Sequence, residues 1–219
     1  MEEKKQANHG KRHESWEVIQ LNQLKSKAWR AFIKEQGERY KSCRISNFEV
    51  SLDSQKQAVE KLSEFLANIN QHCDAGCNLI LAGPPGTGKD HLLVACVFEA
   101  IKSGAVLNVR SLSGPRLFSD LRTAISAQRP ENDVLNDFIR CDLLVISDIA
   151  MHGATKYQKE IIYKIIDERY RAKLPIFFST NATSRQALEE LTSAQIVDRL
   201  SHDAIYVPCN WPSYRTKTL

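Results

Sequence analysis

No apolar run in this chain approaches the roughly 20 residues that a membrane-spanning helix requires, so no segment reads as a membrane span. The opening residues, "MEEKKQANHGKRHES", are polar and mixed in charge, without the apolar stretch of a secretory signal. They read as disordered. The six cysteines are scattered and lie mostly inside apolar runs. Cys73 and Cys77 form the sole close pair, and no second pair or histidine tract completes a zinc set. Buried thiols in a reducing cytosol are therefore expected, rather than a disulfide framework. Internal repeats and low-complexity tracts are also missing. No strong charge imbalance exists: 30 Lys and Arg face 26 Asp and Glu, a net +4. The excess sits at the start, where residues 1–49 carry 11 basic and 7 acidic side chains, against 19 of each in residues 50–219. A modest basic arm suits nucleic acid or an acidic partner, and equally a solvated helix face.

What is present is an alternation of helix and strand patterns in 219 residues, enough for one sizeable α/β domain and a short appendage. The appendage is residues 1–49. From Trp16 a helix is expected, with Leu21, Leu24, Ala28, Ala31 and Phe32 on one stripe and Gly37 ending it. "CRISNFEV" follows as an extended linker anchored by Ile45 and Phe48. The main domain is residues 50–219. Asp53 or Ser54 caps a helix with Ala58, Leu62, Phe65, Leu66 and Ile69 inside. "CNLILAG", "AVLNVRS", "DLLVIS", "PIFFSTN" and "AIYVP" read as strands. Helices are expected from Lys89 to a stop at Gly104, around 115–127, over 155–173, and as two short pieces before the last strand. After the helix at 115–127 a polar loop, "QRPEN", leads to the third strand. Apolar strands alternating with helices imply a parallel sheet covered on both faces.

The chain has just nine glycines, and three of them, Gly83, Gly86 and Gly88, fall in "GPPGTGKDHL". The pattern G-x-x-x-x-G-K-[ST] between a strand and a helix marks a phosphate-binding loop. Its backbone N–H groups cradle phosphates, the helix dipole adds positive potential, and Lys89 reaches the β- and γ-phosphates. Gly83, Pro84, Pro85, Gly86, Thr87, Gly88, Lys89, Asp90 and His91 are thus the expected nucleotide-binding residues. Asp90 departs from the pattern, since a hydroxyl normally touches magnesium there. At the end of the third strand, Leu143–Ile146 are followed by Ser147 and Asp148. One register puts Ser147 at the magnesium position and makes Asp148 the acid that activates water. The other makes Asp148 the magnesium residue. A carboxylate at 90 and a hydroxyl at 147 admit two readings. In one, the two ligand types have exchanged places around one magnesium ion, which takes hard oxygen donors from either side; nucleotide binding should then depend strongly on the ion. In the other, Asp90 is an acid favoured by the helix dipole and Ser147 marks weakened hydrolysis.

Asn181, at the polar end of "IFFSTN", is expected to orient the attacking water, with Thr180 the alternative and a helix cap the structural reading. Arg199 in "IVDRLSHDAIYV" and Arg215 in "NWPSYR" are candidates for phosphate contact, one of them across a subunit boundary, with a surface salt bridge the alternative for either.

Together "GPPGTGKDHL", "DLLVISDIA", Thr180–Asn181, "VDRL" and "NWPSYR" resemble the AAA+ ATPases of the DnaC and IstB group, helicase loaders and transposition helper ATPases. The resemblance runs from about "SNFEV" to "WPSYR". It implies a P-loop NTPase fold with a short N-terminal helical extension, and ATP and Mg2+ as cofactors. By it, Asn181 looks like sensor 1, Arg199 like the arginine finger and Arg215 like sensor 2. It implies a replicative helicase or a transposase as partner, self-association, and contact with single-stranded DNA. Arg110, Arg116, Arg122 and Arg129 are candidates for that last contact, with solvated helix faces the alternative. The N-terminal helix is the candidate docking element. An adaptor that binds ATP and hydrolyses little is the competing reading.

Overall fold

The computed structural model describes residues 16–147 and 155–215. The expected disorder of residues 1–15 and the acidic candidate Asp148 lie outside the described residues.

Helix α1 (Trp16–Gln36) leads into two short 3-10 turns, Glu38–Tyr40 and Ile45–Asn47. Then come α2 (Asp53–Ala67), α3 (Ile69–Ala75), β1 (Asn78–Ala82), α4 (Lys89–Ser103) and β2 (Val109–Leu112). The second half holds α5 (Gly114–Ser126), α6 (Glu131–Ile139), β3 (Leu143–Ser147), α7 (Lys156–Arg171), β4 (Ile176–Thr180), α8 (Arg185–Leu191), α9 (Ala194–Ser201) and β5 (Ala204–Pro208). The strands form one sheet in the order β2-β3-β4-β1-β5, and every pairing is parallel. β4 pairs with β1 so that Thr180 lies opposite Ala82, and with β3 so that Ser179 lies opposite Ser147. The ends of three adjacent strands therefore converge where the glycine loop leaves β1.

Strand side chains alternate faces, and the core divides accordingly. Leu79, Leu81, Val145 and Phe177 pack with α1, α2 and α4. Ile80, Leu144, Ile146 and Phe178 pack with α5, α6, α7 and α9. Cys43 and Phe48 belong to the same core as β1 and α4.

Four details differ from the pattern reading. In α1, Ala28, Phe32 and Ile33 are buried, whereas Leu21, Leu24 and Ala31 are exposed. The helix touches the body through its C-terminal half, so its inward stripe begins at Ala28. Ile69 does not continue α2; the helix ends at Ala67 and Ile69 opens α3. The expected loop "QRPEN" gives way at Glu131 to α6, a helix that the pattern reading did not place. Its acidic first turn, Glu131 and Asp133, and the pair Leu135 and Phe138 three residues apart make it a short amphipathic helix. The linker "CRISNFEV" is a 3-10 turn with Phe48 buried and Ile45 half-buried, not extended chain. Asn47 pins it, accepting from Arg44 N at 2.8 Å and donating to Ser42 O at 2.7 Å.

One buried cation organises the far edge of the sheet. Arg169 is fully buried, and its Nη1 donates to Phe138 O, Ile139 O and Cys141 O while Nη2 reaches Pro175 O at 2.8 Å. It closes the C-terminal end of α6 and joins the starts of β3 and β4. Burial lowers its pKa from the usual arginine value.

Candidate functional site

The loop between β1 and α4 turns on glycines that other residues would strain. Gly86 and Gly88 have φ of +82° and +84°, the left-handed region. Lys89, 7 % exposed, opens α4. Its Nζ donates to Gly83 O at 2.6 Å, Pro84 O at 2.7 Å and Asn181 Oδ1 at 3.0 Å. The ammonium thus sits inside the curve of the loop, with the strand-end asparagine beside it. Thr87 is fully buried; its hydroxyl donates to Pro84 O at 3.0 Å. These contacts set the loop's curvature from within.

The chain's end clasps the loop from outside. Trp211 Nε1 donates to Thr87 O at 2.8 Å, and Tyr214 N donates to Gly86 O at 2.9 Å. A Cβ on Gly86 would lie 2.0 Å from Ser213 Oγ. Gln55 of α2 donates through Nε2 to the Tyr214 hydroxyl at 2.9 Å, which itself donates to Glu49 O.

Between these walls lies an open cavity of ≈ 530 Å³. Pro85, Gly86, Gly88, Lys89, Asp90 and His91 line one side, and Ser179, Thr180 and Asn181 close the back. Arg215 lines it beside Tyr214. The opposite wall is Arg39, Tyr40, Cys43, Asn47, Phe48 and Glu49. This wall has no motif in the sequence; only the anchor Phe48 hinted at it. Phe48 meets the rings of His91, Trp211 and Tyr214 edge-on, and His91 Nε2 lies 2.9 Å from Arg44 O. Burial, and then the Asp90 carboxylate, push the Tyr40 phenol above its usual pKa.

Asp90 and Ser147 do not meet directly. Ser179 Oγ donates to Asp90 Oδ1 at 2.9 Å, and Ser147 Oγ faces Gln36 Nε2 of α1 at 3.5 Å. Gln36 also accepts from Ser111 Oγ at 2.7 Å, so the end of α1 is tied to the ends of β2 and β3. Asn181 is not the cap of α8; Ser184 does that, accepting from Ala187 N at 3.1 Å. Thr180 turns inward and accepts from Ala182 N at 3.1 Å. Among the described residues no group of three or more His, Cys, Asp or Glu side chains is placed to hold a metal.

Arg199 does not reach this cavity. Asn78, the first residue of β1, donates to Leu200 O at 3.1 Å, which puts the end of α9 at the opposite edge of the sheet. There Arg199 Nε donates to Asp167 Oδ1 at 3.0 Å and Nη1 to Asp198 Oδ2 at 2.8 Å. The Asp167 hydrogen bond raises its pKa above the usual arginine value. Arg110 and Arg116 are engaged as well, both with Glu35 of α1.

A parallel sheet in this order, a glycine loop with its lysine at the start of a helix, and an asparagine at the end of the neighbouring strand define a P-loop nucleotide-binding protein of the AAA+ class. The family described as IstB-like ATP binding protein matches residues 39–219, and the chain belongs to it. It is 28 % identical to the replicative helicase loader DnaC of Escherichia coli (strain K12) over 180 residues, 81 % of this chain and 71 % of that one. It is also 28 % identical to DnaC of Buchnera aphidicola subsp. Baizongia pistaciae over 183 residues, 82 % and 72 % of the two chains. Among solved structures, a crystal structure of the DnaC helicase loader superposes with a TM-score of 0.69 at 20 % identity, covering 78 % of this chain and 99 % of that one. The replication initiator DnaA bound to AMPPCP and single-stranded DNA superposes at 0.61 and 23 % identity, covering 78 % and 50 %.

Proposed function

We propose that this chain is an ATP-dependent helicase loader that acts in DNA replication in the cytoplasm, and that it hydrolyses ATP. The observation that carries the reading is that Lys89 and Asn181 line one cavity together, with Lys89 Nζ held by the loop carbonyls of Gly83 and Pro84 and by Asn181 Oδ1. Lys89, at the start of α4 and in the wall of the cavity, neutralises phosphate charge. Asn181, held 3.0 Å from that ammonium, orients the attacking water. Asp148, next along from Ser147, takes the water's proton. Arg215, lining the cavity from the chain's end, senses the nucleotide. Arg199, at the far edge, serves the site of a neighbouring copy, which couples turnover to self-association. When bound, Mg2+ would supply charge neutralisation to the phosphates. The hard oxygens of Asp90 and Ser147 fit such an ion, and Asp90 is the residue that would hold it with the phosphates.

The partner is a replicative DNA helicase, with single-stranded DNA as a second ligand. The DnaC relatives, named for helicase loading, support this. The second reading, a transposition helper with a transposase partner, draws on the IstB-like family description. The test is ATP turnover with and without single-stranded DNA, alongside capture of purified replicative helicase. Helicase binding with ATP-dependent release supports the loader. Binding to a transposase but not to helicase favours the second reading, and ATP binding with no turnover under any condition leaves an adaptor.

A further inference from the structure

We propose that Ser179 is the positioning residue for Asp90 and that these two side chains form this chain's metal-orienting pair. The inference rests on the nucleotide-binding reading above and names a residue that the loop motif does not contain.

A common phosphate-loop protein presents a neutral hydroxyl after its lysine. Here Asp90 places a carboxylate in the first turn of α4, lining the cavity. A carboxylate beside a triphosphate repels it; held in a single orientation, it is also set to meet a cation placed between them. The sheet supplies the hold. Alternation along β4 puts Ser179 on the same face as Phe177, the face that packs against α4. Ser179 is 1 % exposed, so its hydroxyl proton has to find a partner inside the protein. It finds Asp90 Oδ1 at 2.9 Å, a charge-assisted hydrogen bond. Ser147 lies on the same face one strand further out, opposite Ser179 in register. Because β4 stands between β3 and β1, the nearer hydroxyl to α4 is that of Ser179. Ser147 is taken up by Gln36.

The test is binding of a fluorescent ATP analogue to the full chain, titrated with MgCl2 from a metal-free start. Ser179→Ala is expected to raise the half-saturating Mg2+ concentration by roughly tenfold, the scale of one lost charge-assisted hydrogen bond. Ser147→Ala is expected to shift it less. Asp90→Ala is expected to tighten metal-free binding and flatten the Mg2+ dependence. In that background Ser179→Ala should add nothing, because Ser179 acts through the carboxylate; a merely structural serine would add its effect in both backgrounds. Equal shifts from Ser147→Ala and Ser179→Ala, or additive effects of Asp90→Ala and Ser179→Ala, overturn the proposal. Wild-type protein that binds no analogue at any Mg2+ concentration overturns the nucleotide reading itself, and the pair with it.

Discussion

Gly86→Ala tests whether the chain's end and the phosphate loop are one structural unit. Gly86 has φ of +82°, where an L side chain costs about 1–2 kcal/mol. The new Cβ would also lie 2.0 Å from Ser213 Oγ and 2.9 Å from Ser213 Cβ, so the 211–215 segment has to shift. That shift breaks the 2.9 Å hydrogen bond from Tyr214 N to Gly86 O, worth about 1 kcal/mol. The sum is roughly 2–3 kcal/mol, which in a domain of this size lowers Tm by roughly 4–12 °C. Thermal unfolding followed by circular dichroism gives the number. The control is Gly86→Ala with Ser213→Gly, which removes both clashing atoms and leaves the backbone strain. The double variant should melt above the single one, by the part owed to the clash. If Gly86→Ala melts like wild type, or if Ser213→Gly restores nothing, the clasp is not the source of the loop's rigidity.

Other outcomes follow from the packing and the charges. Arg169→Met leaves several buried carbonyls without a donor, and urea unfolding should show a loss above about 3 kcal/mol; Arg169→Lys should recover little, since one ammonium cannot span the fork's acceptors. Burial pushes the thiols of Cys73 and Cys209 up to about 12. A raised thiol pKa means protonated sulfur at pH 8.5, so iodoacetamide should label these two cysteines far more slowly than a free thiol until urea unfolds the chain; fast labelling of the folded protein, read by mass spectrometry, would contradict it. Mixing Arg199→Ala with Lys89→Ala should recover ATP turnover that neither has alone, because one copy keeps its site and the other its arginine. Turnover no greater than the sum of the two separately would remove the role of Arg199 across a subunit boundary.

The phosphate loop was legible because its chemistry is local. Gly83 to Lys89 are consecutive, and their strand-to-helix setting follows from apolar runs on either side. The same holds for the parallel α/β class, for Asn181 at a strand end, and for the burial of the cysteines within apolar stretches. α6 escaped because it is just nine residues long, so its inward patch of Val134, Leu135, Phe138 and Ile139 fills little more than one turn of the pattern. The exposure of Leu21 and Leu24 escaped because periodicity marks which face of a helix is apolar, not how far along it a partner extends.

What the linear chain determined by itself was the kind of ligand, a phosphate-bearing nucleotide, since consecutive backbone groups and one lysine suffice to bind it. Folding alone decided the rest of the cavity. Its second wall comes from residues 39–49, its outer clasp from residues 211–215, and the hydroxyl on Asp90 from residue 179 rather than 147. Those contacts join positions far apart in sequence, and their pairing depends on strand order and register, which no local pattern of side chains encodes.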